Sequence, residues 1–361
     1  MESNDLLNRY WYMAFCNNEE IDRILSPKTP KDFLLQERAN TVADNIRYYR
    51  VYRNKANYFR NWSFEKSFSD RHYLQVYHNL SKDKKEQCKN VTFGDMFSND
   101  VNGYAIKNQL WGRIICLNEA LQFYMKFCNL SILNVYDIPD SIRTNALRIA
   151  IRVLLKSEAM DFFMDPRGTV PQSIGTTIHR PIKHELQFIA GHEFAHHLLG
   201  HLDDDNVTTR NILSVGSNHY SMPVYNTSQQ HEFEADIKSL EMPEYNARQY
   251  ELLYNSALLW FSSLQLGEVA QDYIFPSMSL VKTHPSAEER LDNILQNCKR
   301  PKEFDIKKIE IMQEQVKRLR DFLLEDLAVN FDFYEVYGSA YLDSPNTEWR
   351  GKELVDRVDY Y

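Results

Sequence analysis

Apolar positions along the chain recur mostly three or four residues apart, the spacing of amphipathic helices. Residues 5–60 read as two aromatic-rich helices with a break around Pro27 and Pro30. The second helix is polar as well as aromatic, through Asn45, Arg47, Tyr48, Tyr49 and Arg50. Residues 82–86 are charged and read as a solvated turn. Between 105 and 128, Ile106, Leu110, Ile114 and Leu117 fall on one face of an expected helix. Residues 131–137 read as a strand. Asp140, following Pro139, is placed to cap a helix running to about 159.

Further on, residues 165–168 form a turn by composition. Val170, Ile174, Thr176, Thr177 and Ile178 lie between Pro171 and Pro181, a pattern that predicts an edge strand or extended loop over 169–182. Residues 183–200 are the strongest helix in the chain. A loop-like stretch at 206–227 leads to a helix at 228–240, and more helices are expected at 244–266, 286–297 and 303–327. Ser286 and Glu289 form a capping box at the start of the second of these. The tail after Gly338 is polar.

Composition sharpens the fold class. Eleven glycines in 361 residues is less than half the usual share of roughly 7%, too few for the tight turns of an all-β protein. The expectation is an α+β chain, mostly helical. A net charge of −8 with no basic stripe argues against a nucleic-acid partner. No run approaches the roughly 18 apolar residues of a membrane helix, so no membrane insertion is expected. Residues 1–5 lack the features of a secretory signal, and Cys16, Cys88, Cys116, Cys128 and Cys298 form no C-x-x-C pair. Reduced thiols in a cytoplasmic protein are the expectation.

Candidate chemistry concentrates in one segment. Every histidine except His72 and His78 falls between residues 179 and 284. Within it, His192, Glu193, Phe194, Ala195 and His196 spell H-E-x-x-H on the strongest helix. The i, i+4 spacing sets both imidazoles on one face, one turn apart, where they can share a tetrahedral metal. Glu193, one residue on, can reach a metal-bound water and take its proton. The surrounding Leu186, Phe188, Ile189, Ala190 and Phe194 bury the motif. His197 points elsewhere on the helix and is not expected to ligate, and His201, after Gly200 at the helix end, is a candidate to stand behind a ligand.

A third ligand is expected from the next acidic helix, where Glu232 and Asp236 share a face. One carboxylate can ligate the metal while the other accepts a hydrogen bond from a ligand imidazole. Glu234 falls about 200° around the helix from Glu232 and is the weaker candidate.

H-E-x-x-H followed by E-x-x-A-D resembles the gluzincin zinc metallopeptidases, above all the HtpX-like and mitochondrial Oma-like peptidases. Thr283, His284, Pro285 and Arg290 are similar to the T-H-P-x-x-x-x-R element of that group. The resemblance covers about 100 residues. It implies Zn²⁺ held by His192, His196 and Glu232, Glu193 as general base, Asp236 behind a ligand, and His284 and Arg290 beside the cleft. With the helical patterning on either side, the expected domains are a helical N-terminal region of unknown role at 1–135, a zincin-like domain over 136–300, and a C-terminal helix and polar tail at 301–361. The expected partner is a protein or peptide substrate. The HtpX-like enzymes carry membrane helices that this chain lacks, and a chain without them also looks like the Lit-like phage-exclusion proteases. His219, Tyr220, Tyr225 and His284 are candidate oxyanion stabilisers, and 172–180 is the candidate strand for aligning substrate backbone. The competing expectation is a catalytically silent, zinc-bearing regulatory protein.

Overall fold

The structure, a computed structural model, describes residues 9–133, 138–202, 229–276 and 285–342. It is mostly helical with one small sheet, as the glycine-poor composition implies. The helices are α1 (Asn18–Leu25), α2 (Pro30–Ala43), α3 (Ile46–Tyr58), α4 (Arg71–Asn79) and α5 (Lys82–Gln87) before the sheet. The strands are β1 (Val91–Phe93), β2 (Gly103–Asn108) and β3 (Gly112–Leu117). After them come α6 (Ala120–Ile132), α7 (Asp140–Leu154), α8 (Gln172–Leu198), α9 (Gln229–Glu241) and α10 (Ala247–Ile274). Finally come α11 (Ala287–Asn297), α12 (Ile306–Val329) and α13 (Phe331–Glu335). No helix among the described residues is long and apolar enough to cross a membrane.

The expected helix at 105–128 is a hairpin for half its length. β2 and β3 pair antiparallel with Ile106 opposite Ile114, while Leu110 sits exposed at the tip. The four-residue spacing that suggests a helical stripe is here the mirror symmetry of a hairpin. Its turn is built locally: the Asn108 side chain accepts from the Leu110 and Trp111 amides, and Gly112 adopts φ +73°. Helix begins only at Ala120. β3 is the central strand, with β1 parallel on its other side.

The extended segment expected at 169–182 is also corrected. Residues from Gln172 onward are the first turns of α8, a helix of 27 residues. Ile174, Ile178 and Ile182 are buried at four-residue spacing, and this helical stripe outweighs the β-branched composition. Pro171 stands at the N-cap, where its missing donor does no harm, and Pro181 is carried within the helix. Three smaller corrections follow. Residues 82–86 belong to helix α5 rather than a turn; Ser131 and Ile132 end α6 rather than open a strand; and Pro139, not Asp140, occupies the N-cap of α7. Residues 134–137 lie outside the described residues. The Ser286–Glu289 capping box is present.

α8 occupies the middle of the packing, touching α4, α6, α9, α10 and both β2 and β3. Every residue from His184 to His197 is buried, the condition of a helix surrounded on all sides. Among the described residues one large hydrophobic cluster runs from Tyr12 to Leu342, joining side chains from both ends and the middle. One face of the sheet contributes Ala105, Ile115 and Leu117 to it, while Ile114 and Cys116 on the other face pack on Leu34 of α2. All five cysteines are free and buried.

Candidate metal centre

α8 and α9 meet through their smallest side chains. A Cβ at Gly191 would stand 2.6 Å from Ser239 Oγ, and Ala195 packs against Ala235 with both fully buried. Ser239 Oγ in turn donates to the Phe188 carbonyl at 2.7 Å. This close approach brings the two buried histidines of α8 against the acidic face of α9. His192 Nε2 and His196 Nε2 lie 2.9 Å apart, and Glu232 presents Oε2 at 3.5 Å from the first and Oε1 at 3.6 Å from the second.

The three side chains could hold a metal ion: one ligand atom from each lies within 4.8 Å of the others. Donors at about 2.0–2.2 Å from a tetrahedral zinc stand roughly 3.3–3.6 Å from one another, and the observed 2.9, 3.5 and 3.6 Å straddle that range. The donor chemistry agrees with the spacing. Two imidazole nitrogens and a carboxylate converge in a buried site, where charge requires compensation.

His192 is held from behind. Its Nδ1 donates to Asp236 Oδ1 at 2.9 Å, since an ionised carboxylate can only accept, and this leaves the Nε2 lone pair facing His196 and Glu232. Arg290 of α11 grips Asp236 through two hydrogen bonds, Nε to Oδ2 at 2.8 Å and Nη2 to Oδ1 at 2.6 Å, and stacks over Phe261. Burial alone would raise the Asp236 carboxyl, but the charge and hydrogen bonds of Arg290 outweigh it and hold the group below its ordinary range. Burial lowers His192 despite Asp236, which keeps the imidazole neutral, the form a metal needs.

His196 has a different neighbour behind it. Its Nδ1 lies 2.9 Å from Nδ1 of His201, and His201 Nε2 lies 3.4 Å from Glu234 Oε2. The His231 ring stacks on His201 with centroids 4.0 Å apart and planes within 11°. His197 turns away from the pair toward Arg113 of β3 and the Gln87 carbonyl, which receives its Nε2 at 3.3 Å.

Glu193 is buried on the side of α8 that faces the sheet. A Cβ at Gly103, the first residue of β2, would lie 3.4 Å from Glu193 Oε1, an ordinary contact, and 2.5 Å from the tip of the Leu117 side chain on the paired strand, so the glycine makes room for Leu117 beside the carboxylate. Sequence reasoning missed Gly103, Ser239 and His231, and although it singled out His201 and Glu234 separately it did not foresee their contact. Gly103 was hidden by the helical reading of its neighbours, and His231 was visible only as part of an unexplained excess of histidine. His219, Tyr220, Tyr225 and His284 lie outside the described residues. Residues 172–180, being helix, offer no strand edge.

No family profile, curated protein or solved structure matches the chain.

Proposed function

We propose that this protein is a zinc-dependent endopeptidase. The observation that carries the proposal is the convergence of His192, His196 and Glu232, with a buried carboxylate, Glu193, one residue after the first of them. When bound, zinc would polarise a scissile carbonyl and lower the pKa of the attacking water. His192, His196 and Glu232 would hold it. Glu193 takes the proton of the attacking water on its carboxylate and delivers it to the leaving amide nitrogen. Asp236, clamped by Arg290, keeps the His192 lone pair aimed at the centre.

The substrate strand moves from 172–180 to β2. β2 is an edge of the sheet among the described residues, and Gly103 brings its start against Glu193. An extended peptide adding to that edge would pass in front of the base.

The catalytically silent alternative is less economical, because a purely structural zinc closes its fourth position and has no use for a carboxylate beside it. The test is a comparison of new protein termini in cells expressing wild type and Glu193→Gln. Cleavage products present only with the wild type support the peptidase. Identical termini in both, from proteins carrying equal zinc, favour the silent one. The cleaved proteins would also tell whether the role lies in stress or phage defence.

A further inference from the structure

Given the proposed metal centre, we infer that His201 and Glu234 form a positioning pair for His196, the counterpart of Asp236 and Arg290 behind His192. A metal-ligating Nε2 of His196 must carry a lone pair, so its neutral ring bears hydrogen on Nδ1. That hydrogen points at His201 Nδ1, 2.9 Å away, which must then be the acceptor. His201, neutral and accepting at Nδ1, bears its hydrogen on Nε2. That nitrogen faces Glu234 Oε2 at 3.4 Å, a group that can only accept.

One carboxylate therefore sets the tautomer of two imidazoles in series, and the second delivers its lone pair to the metal. The ring plane of His201 is fixed independently, by the stacked ring of His231. Gly200, at φ +75°, turns the chain directly after α8 so that His201 folds back onto the helix it has just left. His201 is buried, whereas the Glu234 side chain is 43% exposed. The pair thus reaches from the surface to the ligand. Glu234 acquires a role here although it stands off the ligand face of α9.

The test measures zinc dissociation constants by chelator competition on the full-length protein, beside thermal unfolding of the metal-free forms. His201→Ala should weaken zinc by about 10–100-fold, as losses behind a ligand do. His201→Asn, whose amide oxygen can accept from His196 Nδ1, should restore most of that affinity; a purely packing role would not distinguish the two. Glu234→Gln should weaken zinc less than His201→Ala. Combining it with His201→Ala should add nothing, because the groups act in series. Glu234 is largely outside the core, so this variant folds even where His201→Ala does not. Wild-type affinity in His201→Ala or in Glu234→Gln would overturn the pairing, as would equal weakness in His201→Ala and His201→Asn. If the wild type itself bound no zinc, the metal reading would fail instead, and the two failures are distinct.

Discussion

Gly191 of α8 and Ser239 of α9 stand so close that no side chain fits between them: a Cβ at 191 would lie 2.6 Å from Ser239 Oγ and 3.3 Å from its carbonyl oxygen. This contact, one residue before His192, sets the distance between the two helices that carry the ligands.

Gly191→Ala is therefore expected to weaken the protein although alanine is the better helix former by about 1 kcal/mol. Overpacking of this kind costs typically 1–3 kcal/mol, and the displaced helices should also bind zinc less tightly. Ser239→Ala removes the nearest atom, so the double variant should recover part of both losses. Thermal unfolding and zinc affinity of the three variants check this; additive losses would contradict it.

Arg290 and Asp236 form a buried ion pair, both almost inaccessible to water. Arg290→Ala leaves the buried Asp236 carboxylate with the His192 hydrogen bond but no cation, and removes the guanidinium 3.7 Å from Glu232; it should destabilise by about 3–5 kcal/mol. Asp236→Asn leaves the Arg290 cation the Glu232 carboxylate at 3.7 Å and an amide oxygen, so it should be milder in stability but still weaken zinc, since the amide no longer fixes the His192 tautomer as firmly. Denaturant titration and zinc affinity separate the two effects. Equal stability loss in both variants would speak against the clamp.

Much of the candidate metal centre was legible in the sequence, because H-E-x-x-H and E-x-x-A-D fix which side chains share a helical face. His192 and His196 share a face as the helical period requires, and the packing of Gly191 on Ser239 and Ala195 on Ala235 brings Glu232 to them. The hairpin was not legible. Ile106, Leu110 and Ile114 satisfy a helical period and a hairpin's mirror symmetry equally well, and only Gly112 and Asn108 hinted at the turn. The same ambiguity ran the other way at Ile174, Ile178 and Ile182, where flanking prolines and β-branched residues masked a helix. The His201–Glu234 contact depends on a chain reversal at Gly200 and on the docking of α9, which no local pattern encodes.

Glu185 of α8 makes the stability depend on pH. It is fully buried against Asn129 of α6, whose amide donates to Oε2 at 2.9 Å, and burial pushes its carboxyl up to about 8 from an ordinary 4.5. The folded state then holds a proton that the unfolded chain releases between pH 4.5 and about 8. Its contribution to stability falls across that window, by about 1.4 kcal/mol per pH unit at most, and is flat above it. Glu185→Gln should leave stability near pH 4 almost unchanged and raise it progressively toward pH 8. Parallel pH profiles of stability for the two proteins would refute the assignment.

The five buried cysteines should be dispensable as bridges. Burial pushes the thiols of Cys88, Cys116, Cys128 and Cys298 up to about 12, so they are protonated and unreactive at neutral pH. Unfolding curves with and without reductant should coincide, and slow labelling by thiol reagents should become fast only on unfolding.

The central claim is that His192, His196 and Glu232 are a metal centre. It is tested most directly by zinc stoichiometry in purified wild type and in His192→Ala, His196→Ala and Glu232→Ala, each dialysed against a weak chelator. One equivalent is expected in the wild type and sharp loss in all three variants, because two remaining ligands do not hold the metal against competition. A zinc-free wild type from zinc-replete medium, or full occupancy in the variants, would contradict it.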